Sequence, residues 1–149
     1  MFIGIDPGQT GAAVLYDGEK IIDCADYSDP VEMSETLLEW QDMAIIHLAI
    51  LEKVASMPKQ GVSSVFKFGT NFGIWQGILS ALRIRHELVT PQAWQKGIIT
   101  KTDGADSKAR SLCVARRLFP NSLYFKRKMD HNRADAALMA VFASRRDKI

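Results

Sequence analysis

The chain has 149 residues, of which 47% are hydrophobic, 24% charged and 9% aromatic. This is the composition of one soluble globular domain spanning residues 1–149, with enough apolar content for a sizeable core; it excludes a disordered, collagen-like or repeat protein. The net charge of +2 hides a strong asymmetry: residues 1–52 hold eleven acids and one base, Lys20, whereas residues 53–149 hold eighteen bases and six acids. Such a split favours an anionic partner for the later part of the chain, unless the two parts interleave in the fold and their fields cancel.

No run approaches the roughly 20 apolar residues of a membrane span. The opening MFIGIDPG lacks the basic segment of a secretory leader. The two cysteines, Cys24 and Cys113, read as free buried thiols in a reducing compartment. No Cys/His cluster has zinc spacing.

The elements follow in chain order. FIGID (2–6) reads as a strand ending at Asp6, with a turn at Pro7-Gly8. GAAVLY (11–16) and KIIDCA (20–25) are two further strands around an Asp17-Gly18 hairpin turn. Ser28-Asp29-Pro30 starts a helix that runs to about Asp42. IHLAIL (46–51) is a buried strand ending at Glu52, and residues 53–70 read as a long loop. Asn71 can cap a helix in which Trp75, Ile78, Leu79 and Leu82 share a face. A short strand at 86–90 leads through Thr90-Pro91 into a short helix, and residues 97–106 are loop-like. Asp106 or Ser107 caps a helix to about Phe119, stopped by Pro120, and a last helix covers roughly 132–146. The order predicts an α/β fold: a five-stranded mixed sheet, an antiparallel meander extended by parallel strands, flanked by helices.

Three acids stand in apolar surroundings: Asp6 and Glu52 at strand ends, and Asp135 inside the helical run RADAALMAVFA. A carboxylate in such a place is costly without compensation, and a cation is the usual one. Hard oxygen ligands suit Mg²⁺ or Mn²⁺, and two such ions can drive phosphodiester hydrolysis. Taken singly, Asp6 reads as a turn residue, Glu52 as a salt-bridged strand end and Asp135 as a helix-surface acid; the three together favour a metal site.

IGIDPGQTGAAVL (3–15), LAILEKV (48–54) and DHNRADAALMA (130–140), in that order, resemble the RuvC-type Holliday junction resolvases of the RNase H-like superfamily. MPKQGVSSVFKFGTNFGIWQGIL (57–79), VTPQAWQK (89–96) and ARRLFP (115–120) resemble the phage branch of that family. The resemblance implies an RNase H-like fold and a homodimer that nicks four-way DNA junctions symmetrically, with two Mg²⁺ per site and Mn²⁺ as a substitute. It implies no nucleotide cofactor and no membrane partner, and places the activity in the cytoplasm of a bacterial or phage-infected cell. Asp6, Glu52 and Asp135 would be metal ligands. The family's further acid or histidine often stands three residues before the last of these, where this chain has Asn132. Asp130 as a ligand, or His131 as a ligand or proton-transfer group, could take that role.

The resemblance also directs attention to DNA contacts. Lys53, Lys59, Gln60, Ser63, Ser64 and Lys67 in the 53–70 loop can hold phosphates. Phe66 and Phe68 can stack on bases or pack beneath the loop. Lys101, Lys108 and the run Lys126-Arg127-Lys128 are further candidates, although Lys108 also fits a solvated helix face. Gly73 and Gly77 suggest close packing, either within the fold or at a dimer interface. Other readings remain open: a nuclease of relaxed specificity for forks or flaps, a nuclease-dead DNA-binding module, or an actin-like phosphate-binding domain suggested by the Asp-Pro-Gly-Gln-Thr-Gly loop.

Overall fold

β1 (Phe2–Asp6), β2 (Ala12–Tyr16) and β3 (Ile21–Asp26) form an antiparallel meander, and β4 (Leu48–Glu52) and β5 (His86–Val89) extend it in parallel. The computed structural model of the chain describes residues 1–148. The strand order is β3-β2-β1-β4-β5, as the predicted meander with parallel additions requires. Connections follow from local chemistry. Asp17 Oδ1 accepts from the backbone N–H groups of Glu19 and Lys20, both at 2.8 Å, and tightens the β2–β3 turn. Asp29 Oδ1 accepts from Val31 and Glu32 and caps α1 (Pro30–Met43).

Alternation along the strands divides the core. Ile3, Ile5, Ala13, Leu15, Ala49 and Leu51 point to one face, where α1 and α2 (Val62–Ala81) bury Leu37, Trp40, Trp75 and Leu79. Phe2, Val14, Leu48 and Ile50 point to the other. That second face is covered by α3 (Pro91–Gln95), α4 (Ser107–Leu118) and α5 (His131–Asp147). Asp6 and Glu52 continue the second alternation, so both acids belong to the face that α5 covers.

The α5 contact is unusually close. A Cβ on Gly4 would lie 1.9 Å from the Ala136 carbonyl oxygen and 2.5 Å from the Ala140 nitrogen. Only a bare backbone on β1, against a helix face of alanines, permits this approach. Gly11 is similarly confined, with its hypothetical Cβ 2.0 Å from the Asp6 carbonyl oxygen.

Two expectations are corrected. Residues 62–70 are the first half of α2, not loop, and Asn71 lies inside that helix rather than capping it. The helical period runs further back than Trp75: Val65, Phe68 and Phe72 precede Trp75 and Leu79 on the same stripe, and Gly61 occupies the N-cap without a side-chain bond. Both cysteines are free, but only Cys24 is sheltered, with burial pushing its thiol up to about 12; Cys113 is exposed. Among the described residues no helix is long and apolar enough to cross a membrane.

Gly4→Ala is expected to destabilise the protein by about 3 kcal/mol, the upper end of the usual cost of overpacking, because the added methyl meets backbone that cannot rotate away. Denaturant unfolding measures this, and a loss under 1 kcal/mol would show that α5 does not depend on the bare strand.

Candidate functional site

The parallel register of β1 and β4 pairs Ile5 with Leu51, so the next residues along, Asp6 and Glu52, stand side by side at the ends of their strands. α5, seated on Gly4, brings Asp135 over the same sheet end. The three carboxylates sense one another. Burial, with the charges on Asp6 and Glu52 adding to it, raises the pKa of Asp135 to about 8 despite a hydrogen bond from Ser111. Burial likewise raises Glu52 to about 7, against the bond from Trp94 and with Asp6 adding to the rise. Asp6 is raised by burial, with the Gly8 N–H and nearby His131 partly opposing.

Each acid is held by one neutral donor. The Gly8 backbone N–H donates to Asp6 Oδ1 at 3.0 Å, the Trp94 indole Nε1–H donates to Glu52 Oε2 at 2.7 Å, and Ser111 bonds to Asp135. None of the three acids forms a salt bridge with a Lys or Arg among the described residues. Trp94 and Ser111 were not singled out in the sequence. Both are buried, and nothing in the local pattern distinguishes such donors from ordinary core residues.

Asp6 lies in a cleft of about 480 Å³, lined also by Gln9, Ser64, Lys67, Phe68, Lys108 and His131. Of the residues expected to contact DNA, the fold therefore brings Ser64, Lys67 and Phe68 from α2 and Lys108 from α4 to the same cleft. Lys108 and His131 also border a larger groove of about 880 Å³, flanked by Arg116, Lys126 and Lys128. Lys53, Lys59, Gln60, Ser63, Phe66 and Lys101 do not line the cleft. Gln60 instead accepts from the Met57 N–H through Oε1 and turns the chain into α2. Phe66 is 75% exposed on the first turns of that helix.

Asp130 departs from its expected place. Its buried carboxylate accepts three hydrogen bonds from Arg127, two from the guanidinium at 2.8 and 3.0 Å and one from the backbone N–H at 2.8 Å. Burial would raise its pKa, but Arg127 and the charge of Arg133 outweigh this and lower it. Asp130 is thus spent on an ion pair and is not one of the carboxylates that gather around Asp6; Arg127 is spent with it. Asn132 ties α5 to the β1–β2 loop, its Nδ2 donating to the Thr10 carbonyl at 2.5 Å and to Thr10 Oγ1 at 2.9 Å. Of the candidates at this end of α5, His131 and Asn132 both line the cleft with Asp6, and it is His131 whose charge acts on that carboxylate.

The two oppositely charged parts of the chain do not neutralise each other by direct pairing. Among the described residues a single pair, Arg133 with Asp26, joins them; the other salt bridges lie wholly within residues 53–148.

No group of three or more His, Cys, Asp or Glu side chains among the described residues is placed to hold one metal ion. The donor chemistry nevertheless fits hard divalent cations. The acids offer only oxygen, they repel one another, and among the described residues no Lys or Arg pairs with them.

No family model matches the sequence, and no curated protein does. Among solved structures, T. thermophilus RuvC in complex with Holliday junction substrate is similar, with a TM-score of 0.65 and 15% identity over 95% of this chain and 90% of that one. The chain has the RNase H-like fold of RuvC. The likeness to RuvC is one of fold, and it does not single out the phage branch.

The raised carboxylates set the pH dependence of the metal-free protein. A carboxyl whose pKa is higher folded than unfolded binds its proton more tightly when folded, so stability falls as pH rises from about 4 through the folded values near 7 and 8. Melting temperature in a chelator should therefore decline between pH 5 and pH 9. Asp135→Asn should flatten the decline and stabilise the protein at pH 8 by on the order of 2 kcal/mol. A wild-type profile that is flat across this range would contradict the reading.

Proposed function

We propose that this chain is a divalent-cation-dependent, structure-selective endodeoxyribonuclease that resolves four-way DNA junctions as a homodimer. The observation that carries the reading is the set of three mutually repelling carboxylates, without a Lys or Arg pair among the described residues, one of which, Asp6, lines a cleft together with Lys67 and Lys108. The T. thermophilus RuvC structure, which holds a Holliday junction substrate, supports four-way junctions as the substrate class.

In this reading Asp6, Glu52 and Asp135 hold Mg²⁺, with Mn²⁺ as a substitute. Bound there, two such ions would supply an activated water and charge stabilisation for the phosphodiester oxygens. Lys67, Lys108 and the Ser64 hydroxyl bind phosphates at the rim, with Lys126 and Lys128 extending the basic surface along the adjoining groove. His131, beside Asp6, serves as a ligand or moves a proton at the reacting oxygen. Phe66 offers an exposed ring to an unpaired base. The protein would work in the cytoplasm, where its DNA substrate is.

The homodimer rests on α2. Gly69, Gly73 and Gly77 recur every four residues, and a Cβ at any of them would meet nothing within 4 Å. Packing inside the chain therefore does not account for these glycines, and the stripe they leave bare can seat the same helix of a second copy in a two-fold contact.

Asp6→Asn is expected to bind a fixed four-way junction in Ca²⁺ as tightly as wild type and to cut it at least about 1,000-fold more slowly in Mg²⁺, each metal carboxylate being indispensable. Gel-shift and cleavage assays on junction, fork, flap and duplex DNA test both claims. Undiminished Mg²⁺-dependent cutting by the variant overturns the metal assignment, and equal rates on flaps and junctions replace the resolvase with a general branch nuclease. Lys67→Ala and Lys108→Ala should each weaken binding and reduce the slope of log affinity against log salt by about 1. Titrations at several salt concentrations would expose a lysine that makes no phosphate contact, since its slope would not change.

A further inference from the structure

Of the three tryptophans, only Trp94 sets its indole N–H on one of the three gathered acids. Trp40 Nε1 donates to Asp23, outside the cleft, and Trp75 Nε1 is buried with no partner. Trp94 is fully buried, packed among Phe2, Leu48, Ile50 and Leu138 on the face that carries the acids.

The backbone leading to Trp94 is firmly held. Val89 on β5 pairs with Glu52 on β4, and the Val89 carbonyl accepts from the Lys53 N–H at 2.8 Å. Thr90 then caps α3, its carbonyl accepting from the Ala93 and Trp94 N–H groups at 3.0 and 3.2 Å, and Pro91 presets the first helical turn. Five residues after the strand partner of Glu52, the chain has turned back and set an indole N–H on the Glu52 carboxylate.

The choice of donor has a chemical consequence. Lysine or arginine at this place would hold Glu52 equally well but would neutralise it. Indole is a donor only, carries no charge and is rigid once packed. It takes one lone pair of Oε2 and leaves the rest of the carboxylate, with its negative charge, to other partners.

We propose that Trp94 is the positioning residue for Glu52, fixing the carboxylate beside Asp6 so that it can take a divalent cation without having to order itself first. The assignment rests on the metal-dependent reading above. Groups that orient a metal ligand typically change metal affinity or activity 10- to 100-fold when removed.

Trp94→Phe keeps an aromatic ring and removes the donor. Trp75→Phe is the control, since it deletes a buried N–H that has no partner and lies outside the site. In DNA-free protein, Mg²⁺ is titrated and the rise in melting temperature recorded, because a ligand bound only by the folded state stabilises it by an amount that grows with the logarithm of ligand concentration over its dissociation constant. Trp94→Phe should need about tenfold more Mg²⁺ to reach the same rise, and Trp75→Phe should match wild type. On junction DNA, Trp94→Phe should bind normally in Ca²⁺, cut about tenfold more slowly at limiting Mg²⁺ and recover at excess Mg²⁺. A mere packing defect would not be rescued by the ion.

The wild-type protein provides a measurement that needs no folded variant at position 94. In ¹⁵N spectra the Trp94 indole N–H resonance should move with Mg²⁺ with a midpoint at the concentration where the melting temperature begins to climb, while that of Trp75 stays still. Trp94→Phe with the Mg²⁺ dependence of Trp75→Phe, or a Trp94 resonance indifferent to Mg²⁺ in a wild type that otherwise responds, overturns the assignment alone. A wild type with no Mg²⁺ response in melting or cleavage overturns the metal-dependent reading and Trp94's role with it.

Discussion

The candidate site depends on the contact between α5 and the backbone of β1 at Gly4. A helix normally rests on a sheet through interposed side chains. Here the Ala136 carbonyl occupies the space that any side chain on Gly4 would need. Asp6 is two residues along the same strand, on the same face, and Asp135 precedes Ala136 on the helix. Close seating therefore puts two carboxylates from opposite ends of the chain into one another's field, and parallel pairing with β4 adds Glu52. A bulkier residue at position 4 would lift the helix and weaken all of these couplings together.

The start of α5 is fixed separately. Asn132 is bonded to Thr10, Arg133 makes a two-pronged pair with Asp26 at 2.6 and 2.7 Å, and Arg127 holds Asp130 at the preceding turn. These contacts tie the helix to the β1–β2 loop and the end of β3. They also explain why three polar residues near the expected fourth position are occupied with structure. Asp130, Asn132 and Arg133 orient the helix, leaving His131 facing Asp6.

Much of this was legible in the chain. Strand alternation, the Asp17-Gly18 turn, the Asp29 and Asp106 caps and the acids at strand ends all act over a few residues, and the five-stranded mixed sheet followed from them. The first half of α2 was not legible. Val62, Ser63, Gly69 and Thr70 are poor helix formers, and the stripe of Val65, Phe68 and Phe72 that extends the Trp75 face is easily missed among them. Asp130 illustrates a different limit. Its neighbours in sequence suggested a metal ligand, but whether a carboxylate is free depends on where Arg127 points. Trp94 and Ser111 show the same limit from the other side, since a donor supplied from a distant element leaves no local signature.

The charge asymmetry acquires a physical sense from these placements. The chain carries eighteen bases after residue 52, yet none pairs with Asp6, Glu52 or Asp135 among the described residues. Lys67 and Lys108 stop at the rim of the cleft, and the groups that touch the acids are neutral N–H and hydroxyl donors. A lysine moved from rim to floor would relieve the repulsion and stabilise the empty fold, but it would also fill the place that a cation needs. Basic residues at the rim draw in a polyanion without discharging the acids beneath it. The two signs of charge thus act at different depths: the outer layer attracts phosphate, and the inner layer retains the negative potential that makes cation binding favourable.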